Sequence, residues 1–115
     1  MVKNQGRRNR QRGQEGEREV CALLSDAFGV KVKRALGQER DSGTDILSLP
    51  PFRIEVKRRK RIAGLYEWLA QAGPEWPFRV PGPVPALMLR GDDKTWLVVM
   101  HFTDWVQIAR EEIAK

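Results

Sequence analysis

Asp45, Glu55 and Lys57 are the residues of this chain whose types and spacing could do chemistry together. The two runs that carry them, Thr44–Leu49 and Phe52–Lys57, are apolar and alternating enough to read as strands, and Pro50-Pro51 between them reads as the turn. A turn centred on Pro50 sets Asp45 directly opposite Glu55 in an antiparallel pair. Opposed residues point to the same side with side chains about 4.5 to 5.5 Å apart, close enough for one oxygen-ligated cation to bridge them. Lys57 lies two residues beyond Glu55, so the strand period of two returns it to that side, while Ile54 and Val56 turn into a core. Two carboxylates and a lysine suit phosphodiester hydrolysis: a hard divalent cation polarises the phosphoryl oxygens and acidifies the attacking water, and the lysine holds that water or neutralises developing charge. The same pattern also fits an edge strand with a solvated charged face, so other segments have to decide.

The elements that must position these residues are legible in turn. From Gln14 to Phe28 the apolar residues Val20, Leu23, Leu24, Ala27 and Phe28 recur with helical period, and Gly29 follows as a stop. Glu17 stands at the spacing i+3, i+4, i+7 before Val20, Cys21 and Leu24, on the inward stripe, whereas Glu15 and Glu19 lie on other sides. An inward glutamate is paired, hydrogen-bonded or metal-bound; at the start of a helix it can instead curl to solvent and favour the macrodipole. Val30–Ala35 alternates as a first strand, ending near Arg34. The polar loop 36–42 after it can touch a substrate strand, with Gly37 and Gly43 permitting close backbone approach.

Composition narrows the partner. The chain has 115 residues, one domain's worth, and a formal net charge of +6 that points to an anionic partner, most commonly a nucleic acid. Residues 1–12 form a basic arm, expected to be mobile, in which Lys3, Arg7, Arg8, Arg10 and Arg12 supply +5 with no acid. Residues 13–115 are the folded domain. A second basic run, Lys57 to Arg61, adjoins the proposed site. Cys21 is the only cysteine, which excludes an intrachain disulfide and a thiolate zinc cluster and suits a reducing, cytoplasmic compartment. No apolar run approaches a membrane span.

Gly13-Gln14-Glu15-Gly16-Glu17-Arg18-Glu19 resembles the G-x-x-x-E-R-E opening of the archaeal-type Holliday-junction resolvases. An arginine after the first strand, an aspartate in the second and Glu55-Val56-Lys57 in the third follow in the order of that family, over residues 13–61. These resolvases belong to the PD-(D/E)xK nuclease superfamily, with restriction-endonuclease-like folds; small phage-encoded and prophage-encoded nucleases are similar to the chain in the same segments. The resemblance implies an endonuclease acting on DNA, branched or linear, with Mg2+ or Mn2+ as cofactor and a homodimer as the working form. It implies Asp45, Glu55 and the backbone carbonyl of Val56 as metal ligands. Glu17 would be the helix carboxylate, for a second ion, a water ligand or the orientation of Lys57, and Lys57 the catalytic lysine. Arg34, Arg58, Arg59, Lys60 and the arm arginines Arg7, Arg8, Arg10 and Arg12 would hold phosphates. A nucleic-acid-binding module without catalysis, or a nuclease indifferent to DNA branching, has the same sequence features.

The rest of the chain supplies a scaffold. Ala63–Ala72 reads as a helix burying Leu65, Trp68, Leu69 and Ala72, with Gln71 near its end as a further candidate. Residues 73–85 hold five prolines and two glycines and read as an irregular loop, pinned by Trp76 and Phe78. Ala86–Arg90 and Thr95–Met100 read as strands covered on both faces, joined by a tight turn, and His101 has no evident partner. Thr103 and Asp104 open a last helix to Ala114, with Trp105, Val106, Ala109 and Ile113 free for packing or a dimer contact. The expected architecture is α+β, a mixed five-stranded sheet flanked by helices.

Overall fold

A computed structural model describes residues 2–35, 46–47, 49–77 and 83–115, with residues 2–9 and 47 described by their backbone alone. The chain is α+β. Its elements run α1 (Val2–Phe28), β1 (Lys33–Arg34), β2 (Ile46–Leu47), β3 (Phe52–Arg59), α2 (Leu65–Ala72), β4 (Val84–Gly91), β5 (Leu97–Val99) and α3 (Phe102–Ile113). The sheet is mixed and ordered β1-β2-β3-β4-β5. Three strands, β3 to β5, form its body; β1 and β2 add two residues each at one edge. β3 and β4 are parallel over their full length, from Phe52 beside Val84 to Arg59 beside Gly91, and all other pairs are antiparallel. A parallel pair cannot be joined by a tight turn; the connection here passes through α2, which returns the chain to the same end of the sheet.

The core has two parts, one on each face of β3 and β4. Val20, Cys21, Val32, Ile46, Ile54, Val56 and Ala86 pack beneath α1, while Leu69 of α2 packs on Leu87 and Leu89. Burial of a large aliphatic side chain is worth about 1.5 to 3 kcal/mol, and Ile46, Ile54, Leu87 and Leu89 are among those fully buried. They therefore anchor the central strands from both sides.

Sequence expectation and structure differ at several places. The arm 1–12, expected to lack regular structure, is helical from Val2 onward, continuous with the helix expected to begin at Gln14. Its arginines and glutamines are good helix formers, and it extends a helix already nucleated and held on the sheet, so it avoids the cost of starting one. The first strand contracts to Lys33–Arg34, with Val32 buried and Val30 exposed. β3 runs two residues beyond Lys57, to Arg59. Leu65 is exposed rather than buried. β5 is not covered on both faces: as the sheet's last strand it leaves Leu97 and Val98 exposed, while Val99 packs on the cluster of Leu69, Leu87 and Leu89. Phe78 lies outside the described residues.

Gly16 sets how closely α1 can approach. A Cβ there would meet the Arg58 Cβ at 3.1 Å and the Trp96 ring at 3.4 Å. Arg58 belongs to the central strand and cannot easily move aside. Gly16→Val is therefore expected to lower stability by about 1 to 3 kcal/mol through overpacking, measured as a reduced urea midpoint.

Candidate functional site

β3 presents its residues alternately to the two helices. Ile54 and Val56 lie beneath α1. Glu55, Lys57 and Arg59 take the other side, in register with Leu87, Leu89 and Gly91 of β4, the side that α2 covers. Glu55 is only 8 % exposed. Its Oε1 lies 3.4 Å from the Lys57 Nζ, so a mostly buried carboxylate and ammonium stand two residues apart on one strand. Arg59 continues that line and reaches over the Trp68 ring of α2, with its guanidinium carbon 6.0 Å from the ring centroid.

The hairpin register is the one that a turn centred on Pro50 predicts: Ile46 of β2 pairs with Ile54 of β3. Both are buried beneath α1, and their pairing fixes the relative slide of the two strands. Asp45 lies outside the described residues. Glu17 is turned inward, at 3 % exposure, on a stripe with Val20 and Cys21. The structure brings it to Arg34, whose Nε donates to the Glu17 Oε2 at 2.9 Å. Arg34 pairs with Ile46 in the sheet, so this ion pair belongs to the α1 side, whereas Glu55 and Lys57 belong to the α2 side. Among the described residues, no three His, Cys, Asp or Glu side chains are gathered so that they could hold a metal ion.

The basic residues are distributed rather than pooled. Since β3 extends through the run after Lys57, alternation sends Arg58 toward α1, where it donates to the Glu15 Oε2 at 2.6 Å, and Arg59 toward α2. Lys60 and Arg61 are exposed beyond the strand end. Arg12 pairs with Asp92 at 3.3 Å, Arg10 is exposed, and the side chains of Arg7 and Arg8 lie outside the description. Gln71 is exposed on α2. His101, which had no evident partner in sequence, stacks on Trp76 with ring centroids 3.7 Å apart, and the Trp76 Nε1 donates to the Asp104 Oδ2 at 3.0 Å.

Sequence reasoning missed a second polar cluster. Glu19 accepts from the Trp96 Nε1 at 2.7 Å and from the Arg90 Nη2 at 3.3 Å, and the Arg90 guanidinium lies over the Trp96 ring. These partners are more than 70 residues away in sequence and carried no local signal; only the run of glutamates at 15, 17 and 19 hinted that more than one helix face is occupied. Burial pushes the Glu19 carboxyl up, but the Trp96 and Arg90 hydrogen bonds and the charges of Arg90 and Arg58 outweigh it, leaving its pKa below the ordinary 4.5. A depressed folded-state pKa gives stability that is present above the unfolded pKa and lost as pH falls through the folded one. The wild type is thus expected to lose thermal stability on acidification below about pH 4.5, with Glu19→Gln flattening that slope. Burial also raises the Cys21 thiol pKa, opposed by the nearby Arg34 charge and reinforced by Glu17, which keeps the thiol protonated and unreactive.

No helix among the described residues is long and apolar enough to cross a membrane. No family model matches the chain, and no curated protein or solved structure matches it.

Proposed function

We propose that the chain is a metal-dependent endonuclease that hydrolyses DNA phosphodiester bonds on a restriction-endonuclease-like fold, acting on branched DNA in the manner of a Holliday-junction resolvase. The observation that carries this reading is the buried Glu55–Lys57 pair on β3, together with the Ile46–Ile54 register of the adjoining hairpin. Asp45, the residue before Ile46, is expected from the sequence to stand opposite Glu55. The buried Glu55 carboxylate, with Asp45 as a second carboxylate and the Val56 carbonyl as a further oxygen, is a donor set that would fit a hard divalent cation, Mg2+ or Mn2+. When bound, the cation supplies Lewis acidity toward the phosphoryl oxygens and lowers the pKa of a bound water.

The chain's own residues do the rest. The Lys57 ammonium, held against Glu55, orients the attacking water and offsets charge developing on the phosphate. Arg59 at the end of the site strand, Lys60 just beyond it, and exposed Arg10 on α1 contact phosphates of the substrate. Glu17 acts mainly through Arg34, holding β1 against α1 beside the hairpin.

A purified sample incubated with supercoiled plasmid, a synthetic four-way junction and linear duplex of the same sequence tests the reading directly. Cleavage that needs Mg2+ or Mn2+ and is stopped by chelation is the expected result; symmetric paired nicks in the junction identify resolution, and equal cutting of linear duplex identifies a branch-indifferent nuclease. A second reading, a nucleic-acid-binding module without catalysis, is favoured by the neutralisation of Glu17 by Arg34. Salt-sensitive binding with no cleavage under any metal would select it.

A further inference from the structure

Where β3 gives way to α2 the chain runs over the surface. Every residue from Lys60 to Glu67 is exposed, through the bend after β3 and into the first turn of α2. The segment reads Lys60-Arg61-Ile62-Ala63-Gly64-Leu65-Tyr66-Glu67: two cations, three large apolar side chains and a single acid. Tyr66 is 88 % exposed, and Ile62 and Leu65 are each 41 % exposed. A large aromatic side chain is one that a fold normally buries, since it removes about 150 to 250 Å² from water. Scattered exposed apolar residues are ordinary, but three within one short segment beside two cations make a patch.

Helix geometry keeps Tyr66 outside. Leu69 and Ala72 of α2 are buried, and Trp68 packs with Leu69 against Leu87 and Leu89 of β4. Leu65 falls on this same stripe, and Tyr66 stands about 100° round the helix from Leu65, toward solvent. Arg59, the last residue of β3, is held over the Trp68 ring, so a third cation is fixed where the strand meets α2. Lys60 follows Lys57 by three residues, at most about 10 Å of chain. The patch therefore adjoins the Glu55–Lys57 pair, at the end of the same strand.

We propose that this patch holds an unpaired polynucleotide strand, with the Tyr66 ring stacked on a base, Ile62 and Leu65 in apolar contact beside it, and Lys60 and Arg61 on the adjoining phosphates. Charge selects a polyanion: Arg59, Lys60 and Arg61 stand against Glu67, in a chain of net charge +6. The cations alone would suit a duplex and a single strand equally. The exposed ring separates them, because in a duplex the base faces are stacked on one another and present only edges and phosphates. Each base of an unpaired strand offers a free π-face, and a stacked aromatic is worth about 1 to 3 kcal/mol per base. The inference rests on the nucleic-acid partner of the proposed function but not on hydrolysis, and it specifies that the substrate is unpaired next to the Glu55–Lys57 pair.

Fluorescence anisotropy of the full chain with a labelled oligothymidylate, an oligouridylate and a blunt duplex of equal length, all in chelator, tests it by binding alone. Tyr66→Ala is expected to weaken oligothymidylate binding by about 5- to 100-fold and to change duplex affinity by less than about twofold. Tyr66→Phe keeps the ring and should bind as the wild type does. The double variant Lys60→Gln/Arg61→Gln should make the slope of log K against log salt shallower by about 1.4 on the single strand, and Tyr66→Ala should leave that slope unchanged. Tyr66, Lys60 and Arg61 are exposed, so circular dichroism and the urea midpoint are expected to report a folded chain for every variant. Tyr66-dependent binding stronger to oligothymidylate identifies the strand as DNA and stronger to oligouridylate as RNA, and either supports the stack. Wild-type affinity of Tyr66→Ala for the single strands overturns the proposal and leaves the patch to a protein partner; an equal loss on the duplex also overturns it. A wild type that binds no polynucleotide overturns it together with the nucleic-acid reading, whereas Tyr66-dependent binding without cleavage under any metal upholds it and removes hydrolysis alone.

Discussion

Glu55→Gln is expected to reduce the proposed metal-dependent DNA cleavage by about a thousandfold, since it removes the charge of a proposed metal ligand while keeping the size and shape of the side chain. Nucleic-acid binding should persist with the same salt dependence, because Glu55 faces Lys57 rather than the exposed basic residues proposed to meet phosphates. The substitution has a structural consequence as well. The Lys57 side chain is 13 % exposed and would lose a carboxylate 3.4 Å from its ammonium, a loss that costs about 1 to 3 kcal/mol where the charge stays buried. Chemistry and stability can be separated with the double variant Glu55→Gln/Lys57→Met, which removes both charges. It should regain most of the lost urea stability and none of the cleavage. Cutting at the wild-type rate by Glu55→Gln would remove Glu55 from the chemistry; Asp45→Asn tests the other half of the proposed donor set in the same assay.

The second large effect is on folding. Glu17→Ala should destabilise the chain by about 3 to 5 kcal/mol, the usual cost of removing one member of a buried ion pair and leaving its partner's charge uncompensated. Glu17 is 3 % exposed, and Arg34, its partner at 2.9 Å, lies between α1 and the short edge strands. The loss is expected to fall on the packing of α1 against β1, exposing the thiol of Cys21. Urea denaturation measures the stability, and thiol labelling in native buffer reports the local opening. The double variant Glu17→Met/Arg34→Met should recover much of the difference, since an apolar replacement of a whole buried pair is often near neutral. A Glu17→Ala protein of wild-type stability would show that Glu17 is not held in this ion pair in solution. Residual cutting in the recovered double variant would assign Glu17 to scaffolding, and its loss would assign it to the site.

Local pattern made much of the scaffold legible. The 3.6-residue recurrence through Val20, Cys21 and Leu24 placed Glu17 inward before any packing was known, and Gly29, at a positive φ of 65°, ends α1 where a glycine stop was expected. Pro50-Pro51 marked the turn of the hairpin, and the resulting slide of its strands, Ile46 against Ile54, followed from counting residues. The same reasoning failed where an element's end depends on its neighbours. β3 outlasts its apolar stretch because β4 lies parallel to it through Arg59, and this extension divides a basic run that read as one patch between two faces. The first 12 residues looked unstructured by composition, yet helix propagates into them from a segment docked on the sheet.

Sequence alone determined the kinds of element, their order, the inward glutamate on α1 and the facing of Glu55 with Lys57, because each follows from the period of a single strand or helix. Tertiary structure alone decided which charges meet: Glu17 with Arg34, Glu19 with Arg90 and Trp96, Trp76 with His101 and Asp104. It also leaves α3 without a buried residue among those described. A side chain's direction along its own element is a local property of the backbone, but its partner is set by the meeting of segments tens of residues apart, for which no local periodicity exists.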